Sequence, residues 1–354
     1  MRLVYITNGV RGAGGLERVL SIKTKWFIDH LGYEIHVVTL NEAHQDFFYA
    51  FHPSIQLHDL DVNFKNFRSL FQSYIRGINE IVKKVQPDVV LVCDDGLKGL
   101  LAPLWLNRNI PLVYERHASL WLNGHGWKAS LMKRASKLYK RFIVLTSDCV
   151  GDWGDGSNIR VIANPLAQIP EKLSDLKALR AICVGSLSYN KGYDLLIKAW
   201  SEVCRDFPEW QIDVYGRGDM HAYQLLASAH GLQTQLKFCG ATQHIEQEYQ
   251  QASCLILPSR SEGFGMVLIE AMSYGVPCVA FDCPNGPRHI IQHGVNGLLA
   301  KNGDIDDLAK QIKIMFLDQE ARERMGQQAQ STVVNNYHMD RIGLLWQQLF
   351  NELV

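Results

Sequence analysis

Short apolar runs rich in β-branched residues recur along this chain, and helical periodicity follows each of them. Leu3–Thr7, Glu34–Leu40, Val89–Val92, Pro111–Tyr114 and Phe142–Leu145 read as strands. Helices are expected over Gly15 to about His30, over Phe67–Val85 and around Lys128–Lys140. Runs this short and this apolar, alternating with helices, call for a parallel sheet covered on both faces. Ala163–Glu171, with Pro165 and Pro170, breaks both periodicities and reads as a linker. A second set then begins, with strands at Ala181–Val184, Gln211–Tyr215, Gln235–Phe238, Cys254–Leu257 and Pro277–Phe281. Helices over Gly192–Asp206, His221–His230 and from Asp304 onward accompany them. The expected architecture is α/β, with two Rossmann-like domains at 1–165 and 166–338 and a final helix near Met339–Leu353. A length of 354 residues suits two domains, and 47% hydrophobic residues suffice for two cores. Such a pair places its ligand at the carboxyl ends of the strands, in a deep cleft between the domains.

Composition removes several function classes. No apolar run approaches the ~20 residues of a membrane helix. Met1–Ile6 leads straight into a strand and a glycine loop, so a signal peptide is not expected and a cytoplasmic location is. The eight cysteines form no CxxC pair, and several fall in apolar strands. They read as reduced core thiols rather than disulfides or zinc ligands. Net charge is zero but uneven. Residues 1–165 hold 20 Lys and Arg against 15 Asp and Glu, so the first domain is basic and the second acidic by the same amount. No nucleic-acid-binding motif is present.

Four glycine or strand-end segments carry candidate chemistry. Gly12-Ala13-Gly14-Gly15-Leu16-Glu17-Arg18 follows the first strand, where glycine lets a phosphate approach the backbone. Glu17 stands where a third glycine would complete a dinucleotide fingerprint, which disfavours NAD. Tyr114-Glu115-Arg116-His117-Ala118-Ser119 puts a histidine just past a strand end. Gly185-Ser186-Leu187-Ser188-Tyr189-Asn190-Lys191-Gly192 lies between a strand and a helix, where a lysine can set its ammonium on a diphosphate. Ser261-Glu262-Gly263-Phe264-Gly265-Met266-Val267-Leu268-Ile269-Glu270 reads as a glycine loop opening a helix. It offers free amides and a positive helix end to an anion, beside two carboxylates that accept hydrogen bonds from hydroxyls. A phosphate grip next to hydroxyl acceptors suits a nucleotide sugar.

Glu262 and Glu270, with the followers Tyr274–Ala280, His293–Leu299 and Asn302–Asp304, resemble the Glu-x7-Glu signature of the retaining family 4 glycosyltransferases (glycosyl transferases group 1) of the GT-B type. The resemblance implies a metal-independent hexosyltransferase that uses a nucleotide-diphosphate sugar, UDP-linked first and GDP-linked second, with no further cofactor. By it, Glu262 lies at the sugar hydroxyls and Glu270 at the nucleotide ribose. The amides of Phe264, Gly265, Met266 and Val267 hold sugar and phosphate. Lys191 corresponds to the family's diphosphate lysine, whereas the usual arginine is Ser186 here, which removes one positive charge from the donor site. His117 corresponds to the histidine beside the transferred sugar. Gly14 and Gly15 fall near the diphosphate, Arg217 approaches the donor, and Gly240-Ala241-Thr242 lies near the base. The final helix returns to the first domain. The family's roles imply a glycan or lipid-linked acceptor in bacterial surface polysaccharide synthesis, such as lipopolysaccharide, O-antigen or capsule. A degenerate nucleotide-sugar binder and a GT-B-fold epimerase are the alternatives.

Two further patterns need a reading. Asp59-Leu60-Asp61 and Asp304-Ile305-Asp306 match the D-x-D of metal-dependent transferases. Asp304 follows Gly303 and opens a helix, so it reads as an N-cap, and no required metal is expected. Trp127–Arg141 carries Lys128, Lys133, Arg134, Lys137, Lys140 and Arg141 with no acid, and Leu131, Met132, Ala135, Leu138 and Tyr139 at near-helical spacing. It reads as a helix with an apolar core face, able to lie peripherally on anionic lipid.

Overall fold

The computed structural model describes residues 1–42, 46–62, 67–94, 96–107, 109–117, 126–154 and 156–354. They form two compact units, Met1–Ala167 together with Met339–Val354, and Gln168–His338. In unit 1 the strands are β1 (Arg2–Ile6), β2 (Glu34–Leu40), β3 (Gln56–Leu60), β4 (Val89–Val92), β5 (Leu112–Glu115), β6 (Arg141–Val144) and β7 (Ile159–Val161). They form a parallel sheet in the order β3-β2-β1-β4-β5-β6-β7. Unit 2 contains β8 (Arg180–Val184), β9 (Gln211–Tyr215), β10 (Leu236–Gly240), β11 (Cys254–Leu257), β12 (Cys278–Phe281) and β13 (Gly297–Ala300). These too are parallel, in the order β10-β9-β8-β11-β12-β13. The GT-B fold class expected from the sequence is thus met by two doubly wound sheets.

Strand period explains why the interior runs are apolar throughout. Along β1, Leu3 and Tyr5 enter one core while Val4 and Ile6 enter the other. The first of these cores takes Leu20 and Phe27 from the Gly15–Leu31 helix. It also takes Ile342, Trp346 and Phe350 from the Met339–Asn351 helix, hereafter the tail helix. Full burial of each such side chain contributes roughly 1.5–3 kcal/mol. Gly343 lets the two helices approach, since a Cβ there would lie 2.5 Å from the Trp26 ring. The Trp26 indole N–H donates to Asp340 Oδ1 at 2.8 Å, and Phe27 meets Phe350 edge-on at 5.6 Å.

Some sequence expectations change. The helix in the basic segment is shorter than expected, Trp127–Ser136. Tyr139 turns inward to donate its hydroxyl to Gly99 O, and Lys140 N donates to Leu112 O, which starts β6 at Arg141. Met132, Ala135 and Tyr139 are core residues, whereas Trp127, Leu131 and Leu138 are exposed. Three strands, β3, β7 and β13, were not apparent as apolar runs. All eight cysteines are free thiols, and burial pushes that of Cys254 up to about 12. Neither D-x-D pair forms an open acidic cluster. Asp304 caps the Ile305–Leu317 helix by accepting from Asp307 N at 3.1 Å. Asp59 accepts from Thr39 Oγ1 at 2.8 Å and from Glu42 N at 2.9 Å. No described helix is long and apolar enough to cross a membrane.

Candidate active site

Strand order reverses beside β1 in unit 1 and beside β8 in unit 2. Loops at the carboxyl ends of strands flanking such a reversal splay apart and leave room for a ligand. In unit 2 the loops after β8 and β11 hold Ser186, Lys191, Glu262, Phe264 and Gly265.

The loop after β8 ends in a tight turn, Tyr189–Lys191, and Gly192 at φ +68°. A Cβ at Gly192 would fall 2.0 Å from Pro258 O, so only glycine lets this turn lie against the segment after β11. The contact is then pinned from several sides. Arg260 N donates to Asn190 O at 2.8 Å, and Asn190 Nδ2 donates to Ser261 O at 2.8 Å. The Arg260 guanidinium grips Asp194 with two bonds of 2.8 and 2.7 Å and stacks 3.8 Å from the centre of the Tyr189 ring. The result is that Lys191 Nζ meets Glu262 Oε1 at 2.7 Å, across 71 residues of sequence. Both side chains keep some exposure, 20% and 9%.

Just beyond, Gly265 at φ +96° turns the chain into the Met266–Ser273 helix. The opening amides of a helix have no intrahelical acceptor. Leu268 N donates to Gly265 O at 2.9 Å, and the amides of Gly265, Met266 and Val267 make no such bond among the described residues. Phe264 can offer a ligand only its backbone, because its ring is buried edge-on to Tyr337 at 5.6 Å. Glu270 lies further along the helix, 4% exposed, and accepts from the Tyr249 hydroxyl at 3.0 Å. The two glutamates therefore sit in different surroundings, one against a cation and one against a phenol. Ser186 is exposed, with its hydroxyl 3.2 Å from that of Ser188. Arg217 is exposed on the adjoining loop, whose backbone is locked to the Ser186 loop by Leu187 N donating to Arg217 O at 2.7 Å.

In unit 1, Gly14 caps the Gly15–Leu31 helix in an extended conformation. Glu17 folds back over this loop, and a Cβ at Gly14 would lie 2.4 Å from its Oε2. Burial, with a smaller push from Glu42, raises the Glu17 carboxyl. His117 follows β5, and its Nε2 is 3.2 Å from Glu115 Oε2. That oxygen also accepts from Lys23 Nζ at 2.5 Å. Burial alone would raise the Glu115 carboxyl; Lys23 and His117 outweigh it and hold it down at about 2. Arg116 is 3% exposed with its guanidinium 5.4 Å from the Trp153 ring, so it is a core residue. Ala118 and Ser119, of the same motif, lie outside the described residues. Cys93, Glu115 and His117 bring one donor atom each within 4.8 Å of one another. The Lys23 ammonium already supplies the positive charge on that carboxylate.

The contacts of Glu115 with Lys23 and His117 were not anticipated from sequence. A signal existed for that with Lys23. Lys23 shares a helix face with Val19, Leu20 and Phe27, and a lysine among core positions needs an acidic partner.

Comparison with known proteins decides the family. Residues 13–166 match the family profile described as Glycosyltransferase Family 4, and residues 167–332 match that described as Glycosyl transferases group 1. The chain belongs to the family 4 glycosyltransferases. This glycosyltransferase is 26% identical to an uncharacterized glycosyltransferase of Haemophilus influenzae over 98% of both chains. It is also 26% identical to the lipopolysaccharide 1,6-galactosyltransferase of Salmonella typhimurium, over 87% of each. Its fold resembles that of Anabaena HepE, solved in complex with UDP-glucose, with a TM-score of 0.79 at 19% identity, covering 99% of this chain and 100% of that one.

Proposed function

We propose that this glycosyltransferase moves a hexosyl group, with retention, from a nucleotide-diphosphate sugar to a glycan or lipid-linked acceptor of a bacterial surface polysaccharide. The observation that carries the reading is the meeting of Lys191 with Glu262 beside the amides that open the Met266–Ser273 helix. A cation and free amides suit a diphosphate leaving group, and a carboxylate suits sugar hydroxyls. Glu270 is assigned to the ribose, Arg217 to the donor, and Gly14, Gly15 and His117 to unit 1's part in the reaction. Lys191 and the amides stabilise charge as it develops on the diphosphate. The acceptor hydroxyl attacks on the face the phosphate leaves, and the phosphate takes its proton. No metal is required in this scheme, because protein groups supply the positive charge. A UDP-sugar is the favoured donor, since HepE was solved with UDP-glucose. The Salmonella relative's action on lipopolysaccharide supports the acceptor class.

The purified protein, held in EDTA, should be screened against UDP-, GDP-, ADP- and TDP-sugars by thermal stabilisation and slow donor hydrolysis. One UDP-sugar is expected both to stabilise it and to hydrolyse. Binding without turnover under any acceptor mixture would replace the transferase reading with that of a non-transferring binder.

We also propose a peripheral location on the inner face of the cell membrane, through Trp127, Leu131, Leu138 and the lysines around them. The protein is expected to sediment with vesicles containing anionic lipid, and Lys128→Glu with Lys133→Glu to release it. Unchanged sedimentation of that variant would remove the membrane contact.

A further inference from the structure

Lys23 is 1% exposed and Glu115 2%, yet both carry charge in the core of unit 1. The ammonium lies 3.9 Å from the centre of the Trp346 ring and 5.7 Å from that of Tyr5. Glu115 Oε1 and the Tyr5 hydroxyl are buried without a hydrogen-bond partner among the described residues. A pair of this kind is a poor way to gain stability, since apolar residues of like volume usually serve as well or better. What distinguishes this pair is its third member. Glu115 Oε2, the oxygen that holds Lys23, also lies 3.2 Å from His117 Nε2.

A carboxylate only accepts hydrogen bonds, so the nitrogen facing it must carry a proton. In a neutral imidazole the other nitrogen, Nδ1, is then an acceptor. The charged and titratable groups around the ring are Glu115 on β5, Lys23 and Glu17 on the Gly15–Leu31 helix, and Cys93 past β4. The ammonium on the same oxygen offsets the charge of that carboxylate, and Trp346 covers the ammonium.

We propose that Glu115 is a positioning residue for His117, fixing its ring as the Nε2–H tautomer with Nδ1 as the acceptor, and that Lys23 offsets the charge of Glu115. This rests on the reading of His117 given above. It adds the direction of the hydrogen bond: His117 accepts from a substrate hydroxyl and does not donate to a substrate oxygen. Substrates that lack that hydroxyl are therefore discriminated against.

The decisive measurement is long-range nitrogen–proton NMR on protein labelled with 15N-histidine. The signal of His117 is assigned by its loss in His117→Asn. In the wild-type chain at pH 8, Nε2 should resonate as a protonated nitrogen and Nδ1 as an unprotonated one. Glu115→Gln leaves Lys23 without its counter-charge and risks misfolding, so Lys23→Met with Glu115→Leu is made beside it. That folded double variant should show a mixture of tautomers. It should also lose about 10²-fold in kcat, with the donor KM little changed. An Nδ1–H ring in the wild type, or an unaltered Nε2–H ring in the double variant, overturns the proposal. If His117→Asn itself leaves kcat unchanged, the catalytic reading of His117 fails while the tautomer assignment stands.

Discussion

Lys191→Ala is expected to lower kcat by about 10²–10³-fold, the usual loss when one preorganised donor to developing charge is removed. The fold should survive, because Lys191 and Glu262 keep 20% and 9% exposure, so the carboxylate left behind is not sealed from water. Lys191→Arg should recover only part of the rate. It restores the charge but brings a planar fork to a site shaped for a compact ammonium. Binding supplies a second readout. The alanine variant should lose affinity for a nucleoside diphosphate while keeping its affinity for the nucleoside. Isothermal titration with UDP and with uridine measures both. Full kcat in Lys191→Ala would end the assignment of this lysine to the leaving group, wherever the donor binds.

Lys23→Met should destabilise the protein by about 3–5 kcal/mol, the cost of leaving a buried carboxylate without its counter-charge. For a unit of this size that corresponds to a fall in Tm of about 10 °C. Lys23→Met combined with Glu115→Leu should recover most of the loss, since no charge is then stranded. Acid should act through the same group. The Glu115 carboxyl is held at about 2 in the folded state against an ordinary 4.5. A depressed carboxyl contributes its stability in full above the unfolded value and loses it as pH falls through the folded one. Urea midpoints should therefore decline between about pH 4.5 and pH 2, and Glu115→Leu with Lys23→Met should flatten that decline. Equal midpoints for wild type and Lys23→Met at pH 7 would show that the pair carries no such energy.

The interior of each sheet was readable from sequence because parallel strands buried on both faces must be continuously apolar. β2, β4, β9 and β11 have the bounds that their apolar runs suggested. The strands that escaped are β3, β7 and β13, and all three are edges. β3 reads Gln-Leu-His-Asp-Leu, with no fully buried residue. β7 has three residues, and β13 opens with a glycine. β3 and β7 are largely solvated, so their sequences carry a weaker version of the same signal, whereas β13 is mostly buried but short and led by a glycine.

The candidate site was legible in its parts and not in its pairings. Lys191 and Glu262 each stood out in a glycine loop, yet their contact depends on β8 and β11 being neighbours, which no local pattern reports. Lys23 and Glu115 are 92 residues apart, and their partnership follows from the placement of β5 under the Gly15–Leu31 helix. The basic segment shows the opposite failure. A run of helical period continued past the point where Tyr139 was needed in the core, and tertiary packing ended the helix at Ser136.

The tail helix has a consequence for the order in which this molecule can be made. Trp346, which covers the Lys23 ammonium, emerges from the ribosome only after all of unit 2 has left it. Until then the first 167 residues hold a lysine in their core with one wall missing. Unit 2 is continuous in the chain and can mature while its neighbour waits. The nascent first unit thus passes through a period with an apolar face uncovered, during which a chaperone, or another nascent copy, competes for the place that the tail helix will take.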